Sequence, residues 1–242
     1  MEYIKYSTKR IEYLVKRGMR KKTVAISVTP AAQTLVLAPH ALSREKIKEI
    51  ITKRARWILE KQDYFKRLTA LYPEKEFISG EQVLLLGRKY RLKINEVQGE
   101  NSKEPYVVGK RVIISIGRQL NQEVKKGIIR NALVKWYSAQ ITEIIVQRIN
   151  RYGKQLGITL PSVIIKEQKK RWGSCSSKGI LRFNWRIAMA PISIIDYIVV
   201  HELSHLKIKN HSPDFWKLIS MSLPDYQERR KWLKSNTPLL KL

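Results

Sequence analysis

Residues 191–213 read PISIIDYIVVHELSHLKIKNHSP. Pro191 suits the first position of a helix, and the apolar run through Tyr197 and Val200 carries that helix into His201-Glu202-Leu203-Ser204-His205. Histidines four residues apart project from one helix face, so both imidazoles can reach a single ion, and the glutamate beside the first points toward a water on that ion. The chain has only four histidines, and three of them fall in this window. The fourth, His40, follows Pro39 in a loop and is expected at the surface.

A zinc site that does chemistry uses three protein ligands and keeps one position open. His211 is the preferred third ligand. In a straight helix it would swing well away from His205, so the chain has to leave the helix between Leu206 and His211 and turn back. Asn210 tolerates a left-handed turn, and Ser212-Pro213 marks a fresh helix start. Asp214, Asp225 and Glu228 remain alternative third ligands. One zinc per chain is expected, although imidazole also suits manganese, cobalt and nickel. Zinc brings the pKa of a bound water to about 7, and Glu202 is the expected general base. A purely structural zinc site usually closes with cysteine, and Cys175 is the single cysteine.

Upstream of residue 191, the first 40 residues read as β-structure, with runs at 11–15, 23–28 and 34–37. Ser43 caps a helical stretch over 46–68 that ends at Tyr72-Pro73. Two hairpins are expected, 82–86 with 89–94 and 106–108 with 112–116. A long amphipathic helix covers 124–152, followed by strands at 162–166 and 180–185. Helices starting near Ser212-Pro213 and Tyr226 complete the chain. The expected class is α+β, divided near Gln119 into a strand-rich region (1–119) with one long helix and a catalytic domain (120–242). No internal repeat is visible.

Charge is the outstanding bulk property: 48 Lys plus Arg against 20 Asp plus Glu give +28. Such a surface attracts nucleic acid, nucleotides, acidic proteins or anionic lipid, and equally serves solubility. The basic runs at 16–22 and 166–171 are candidate polyanion tracks, without any recognised nucleic-acid module. A single cysteine excludes an intrachain disulfide and fits a reducing compartment. Residues 1–10 lack the apolar centre of a secretory signal, and no run approaches the roughly 18 apolar residues of a membrane span. The cytoplasm is the expected location.

His201-Glu202-Leu203-Ser204-His205-Leu206, then Asn210-His211-Ser212 and Phe215-Trp216, resembles the YgjP-like metallopeptidase domain family. Arg171-Trp172-Gly173-Ser174-Cys175-Ser176, Asn184-Trp185-Arg186 and Asp196-Tyr197 look like the same family's pattern. The resemblance runs through most of the chain, with its specific motifs between 171 and 232. It implies a zincin-like catalytic core, His201, His205 and His211 as ligands, and Glu202 as acid/base. The family's name does not fix the substrate.

Arg171, Trp172, Asn184 and Arg186 are the expected substrate-binding residues, and the segment 171–176 is a candidate for pairing with an extended peptide or an ordinary hairpin with turns at Gly173 and Gly179. Asp196 and Asp214 are candidates for orienting the ligand histidines. Tyr226 is a candidate oxyanion stabiliser but reads better as packing, and Phe215 and Trp216 as cleft wall or core. Peptide-bond hydrolysis leads. Hydrolysis of nucleotides or other phosphorylated small molecules is the second reading, since Lys169, Lys170, Arg171, Arg182 and Arg186 could clamp phosphate. A nucleic-acid-associated protein with a secondary metal site is the third.

Overall fold

The computed structural model describes residues 2–18, 23–98, 104–159, 161–168 and 170–242. Four of the seven residues in the basic run 16–22, and Lys169 in the second run, lie outside them. Among the described residues no helix is long and apolar enough to cross a membrane. Among the described residues, six α-helices and three sheets confirm the α+β class.

The chain forms two compact units, Met1–Glu74 and Lys75–Leu242. The first contains β1 (Glu2–Tyr6), β2 (Lys9–Gly18), β3 (Ala25–Val28), β4 (Thr34–Pro39), α1 (Arg44–Lys53) and α2 (Ala55–Leu71). Its sheet runs β1-β2-β4-β3, and its core gathers Ile11, Tyr13, Val36, Ile47, Ile51 and Ile58. The Ser43 hydroxyl accepts the Lys46 N–H at 3.2 Å, as a helix cap does. The single helix expected over 46–68 is two, broken at Arg54 (φ −108°, ψ 7°). Buried Ile47, Ile51, Ala55 and Ile58 keep helical spacing across the break, so periodicity alone reads straight through it.

The second unit opens with β5 (Gln82–Leu85), β6 (Arg88–Val97), β7 (Tyr106–Val108) and β8 (Arg111–Gly117), in the order β5-β6-β8-β7. Both expected hairpins are present as antiparallel pairs. In each unit two hairpins join through a parallel central pair, β2 with β4 and β6 with β8. The chain thus repeats a four-strand topology that its sequence does not display, because a topology constrains alternation and turns rather than residue identity.

α3 (Gln122–Leu156) follows, capped by Asn121, whose side-chain oxygen accepts the Val124 N–H at 2.9 Å. Gly157, left-handed at φ 58°, ends it: its N–H and that of Ile158 bond back to the carbonyls of Lys154 and Gly153. Ile129, Leu133, Tyr137, Ile141, Ile145 and Ile149 form its buried face. That face packs in one apolar core with Val83, Leu92 and Ile114 of the preceding sheet. The change of character near Gln119 therefore marks entry into α3, while the compact units meet at Glu74–Lys75.

β9 (Val163–Lys166), β10 (Gly173–Cys175) and β11 (Leu181–Asn184) make a small sheet ordered β10-β11-β9, with β10 on the edge. A 3₁₀ turn over Trp185–Met189 leads to α4 (Ile192–Lys207), α5 (Pro213–Ser222) and α6 (Tyr226–Asn236). The β5–β6 turn is fastened to this entry into α4: the Leu86 and Gly87 N–H groups donate to the Ala188 and Met189 carbonyls at 2.7 and 3.1 Å. α4 is buried continuously from Ile194 to Val200, and its Asp196 meets Arg148 of α3 at 3.2 Å. The two facing atoms, Arg148 Nε and Asp196 Oδ1, have no aligned hydrogen bond, so the contact acts as an ion pair.

Removing one partner of a buried pair strands the other's charge. Asp196→Ala is expected to destabilise the protein by about 3 kcal/mol, at the low end for such pairs because both side chains keep some exposure. Urea denaturation checks this, and a loss below about 1 kcal/mol would remove the pair as a tie between α3 and α4.

Candidate metal centre

α4 carries His201 and His205 on adjacent turns, with ring centroids 4.9 Å apart and planes at 87°. The helix ends at Lys207, where Ile208 turns extended (φ −126°, ψ 110°) and its N–H bonds to the Ser204 carbonyl. Asn210 does not adopt the left-handed conformation; the extended backbone at Ile208 starts the reversal instead. His211 thereby returns to within 5.1 Å of the His201 ring and 4.8 Å of the His205 ring. One ring nitrogen from each histidine lies within 4.8 Å of the others. Asp214, Asp225 and Glu228 do not join this cluster.

The donor set suits a divalent ion. His205 Nδ1 lies 3.1 Å from the Ile208 carbonyl, which can only accept, so Nδ1 carries the proton and Nε2 keeps its lone pair. His201 and His211 face each other through their Nε2 atoms at 3.2 Å. Burial, then the neighbouring His205 and His211, then Arg230 push the His201 pKa down to about 3. Burial also lowers His205. Neutral imidazole is the form that binds a metal.

Glu202 is 5% exposed. Burial lifts its carboxyl to about 7 against the opposing charge of Arg171. Its side chain lies against β10 so closely that a Cβ on Gly173 would sit 2.7 Å from Glu202 Cγ and Oε1. Gly173 is thus a strand residue in close contact with Glu202, while the turn belongs to Gly179 (φ 76°). Phe215, fully buried, meets all three imidazoles at centroid distances of 4.6 to 5.0 Å. Trp216 stacks on His211 at 5.6 Å and on Tyr226 at 5.5 Å.

Other expected residues fall differently. Asn184 is 2% exposed: its amide nitrogen donates to the Gln168 and Arg171 carbonyls, and its oxygen accepts the Arg186 N–H. It pins Gln168 and Arg171 to β11. The Arg186 guanidinium pairs with Glu167 at 2.8 Å and covers Trp185. Arg171 is exposed, with its charge felt by Glu202, and Trp172 is half-buried against the core. Asp196 faces Arg148, and Asp214 is exposed in the first turn of α5. Burial raises the Cys175 thiol, which disfavours a nucleophilic thiolate. The sequence reading missed Arg230, whose guanidinium lies 4.8 Å over Trp216. Its signal was the run of basic residues in α6 following Tyr226 at helical spacing.

An HExxH helix with a third imidazole brought back beside it, on an α+β scaffold, forms a donor set that could hold a metal ion. Residues 22–236 match the model of the YgjP-like metallopeptidase domain, and the chain belongs to that family. Membership places it among the metal-dependent peptidases, which are hydrolases. The metallopeptidase zymogen abylysin of Pyrococcus abyssi aligns at 24% identity over 37% of this chain and 93% of its own, with a TM-score of 0.35. The metallopeptidase zymogen jannalysin of Methanocaldococcus jannaschii aligns at 26% identity, over 38% and 96%, also at 0.35. Comparison with curated proteins gives no match.

Gly173→Ala is expected to displace the Glu202 carboxylate while leaving the three imidazoles in place. Turnover should fall by roughly 10- to 100-fold, as when a reacting group is shifted by about 1 Å. Metal content by elemental analysis should stay at the wild-type level. Joint loss of metal and turnover would mean that Gly173 supports the histidines rather than Glu202.

Proposed function

We propose that the protein hydrolyses peptide bonds with one zinc ion held by His201, His205 and His211, and with Glu202 as general base. The observation that carries this reading is the convergence of three imidazole nitrogens within 4.8 Å beside a buried carboxyl whose pKa is raised to about 7. Zinc there supplies Lewis-acid polarisation of the scissile carbonyl and acidifies water. A carboxyl titrating near neutrality can serve both halves of the reaction. Ionised, it accepts the proton of the attacking water, and protonated, it gives that proton to the departing amine nitrogen. The carboxyl is buried with Oε1 against Gly173 of β10, and a low-dielectric setting strengthens its interaction with the reacting atoms.

Substrate binding has support of its own. Among the described residues β10 is an edge of its sheet, pairs with β11 alone and holds Gly173 against Glu202. An extended peptide adding to that edge would bring its backbone to the general base. Arg171 and Trp172, immediately before β10, are suited to touch the peptide. His211 is exposed, which leaves the centre open on that side. The free Cys175 agrees with a reducing, cytoplasmic location.

Glu202→Gln is expected to keep about one zinc per chain and to lose turnover of an unfolded protein substrate by roughly 10²- to 10⁴-fold. His205→Ala should lose both metal and turnover. Elemental analysis after chelator-free purification, paired with a cleavage assay, reads both. Stoichiometric zinc and full activity in His211→Ala would overturn the three-histidine site.

Added zinc should also raise the melting temperature of chelated protein in a concentration-dependent way, because an ion that binds only the folded state stabilises it by mass action. Calorimetry of His201→Ala, where this shift should vanish, checks it.

A further inference from the structure

Beside the histidine cluster lies a cavity of about 460 Å³ lined by Trp216, Tyr226, Gln227, Arg230, Lys231 and Lys234. Trp216 is the shared wall, stacked on His211 on the metal side and contributing to the cavity on the other. Five of the lining residues come from one face of α6, at spacings of one, three and four. Its polar character is one-sided: three cations and no carboxylate line it.

Like charges at i, i+4 on a helix repel, as Arg230 and Lys234 do here, and such a cluster costs stability unless an anion relieves it. Among the described residues no ion pair includes Arg230, Lys231 or Lys234. Of the two acids beside the cluster, Asp225 is taken by Arg229 at 2.9 Å, and Glu228, in the first turn of α6, is exposed and in no ion pair among the described residues. Arg229 also donates to the Ser193 carbonyl at 2.9 Å, which fastens α6 to the first turns of α4. The neighbouring Arg230 lies over Trp216 at 4.8 Å. A guanidinium over an aromatic floor suits a carboxylate with a short apolar stem: the stem packs on the rings and the carboxylate meets the fork.

We propose that this cavity is a substrate subsite that selects acidic peptides, receiving an Asp or Glu side chain near the bond cleaved. The inference rests on the peptidase reading above. Centroid steps of 5.6 Å from His211 to Trp216 and 4.8 Å from Trp216 to Arg230 put the guanidinium within reach of the centre. At about 3.4 Å per extended residue, that is no more than about three residues from the scissile bond. The general charge of +28 draws acidic chains toward the protein, and the subsite fixes where along the chain the acid must lie.

The test uses full-length Glu202→Gln protein, so that bound peptides stay intact, and fluorescein-labelled peptides identical except for Glu, Gln or Lys pairs. Fluorescence anisotropy should give about tenfold tighter binding for the Glu peptide than for its Gln twin. In Arg230→Glu/Lys234→Glu that ratio should fall to one or below, and the Lys peptide should gain. Lys89→Glu/Lys110→Glu, which changes net charge equally outside the cavity, should retain the ratio. Wild-type kcat/KM for the same peptides should follow the same order, and Lys231→Gln gives a milder variant should the double one misfold. Equal binding of the Glu and Gln peptides, or equal loss of preference in both double variants, overturns the subsite. Cleavage of neutral peptides without acidic preference overturns it while leaving the peptidase reading intact. Hydrolysis of nucleoside triphosphates with no peptide cleaved overturns both.

Discussion

Burial of α4 is the constraint on which the site depends. From Ile194 to Val200 every residue is buried, in an apolar core shared with α3 and the small sheet. A helix enclosed in that way cannot rotate, because turning it would exchange Ile and Val for Asp196 or Glu202 against apolar neighbours, and an unpaired charge there is expensive. Each polar residue on it therefore has an assigned direction. Asp196 faces Arg148, Glu202 lies against Gly173, and His201 and His205 face the returning His211. The β5–β6 turn, bonded to the 3₁₀ segment before α4, fixes the helix at its entry.

The same burial sets the electrostatics. Withdrawal from water lowers the His201 and His205 pKa values and raises that of Glu202, so those two imidazoles favour the neutral form and the carboxyl titrates close to neutrality. Phe215 underlies all three imidazoles, and Trp216 with Tyr226 extends the aromatic surface outward toward the cations of α6. An apolar, aromatic floor and a cationic border thus meet at the edge of the histidine cluster. The strongly basic composition acquires a local meaning there, whereas nothing in the family relationship supports nucleic-acid binding.

The two units also carry a shared architectural idea. Each starts with two hairpins joined through a parallel pair and continues into helix. In the first unit that plan forms a core of its own around Ile11, Val36 and Ile51. In the second it supports α3 and, through the β5–β6 turn, the entry to α4.

Much of this was legible in the sequence because it is local. The spacing of His201 and His205, the fresh helix start at Pro213, both hairpins, and the cap at Ser43 follow from helical geometry and turn chemistry over a few residues. What was not legible joins distant segments. That Gly173 must be small because Glu202 presses on it, and that Asp196 answers Arg148 rather than a histidine, depend on packing between elements. So do the burial of Asn184 as a backbone pin and the placement of Arg230 over Trp216. The break at Arg54 escaped because apolar spacing continues through it. By itself the sequence determined the imidazole donors and their helical spacing, since covalent geometry and periodicity are written residue by residue. Only the tertiary structure decided which side chains meet across the core, because burial and close packing are properties of the folded neighbourhood.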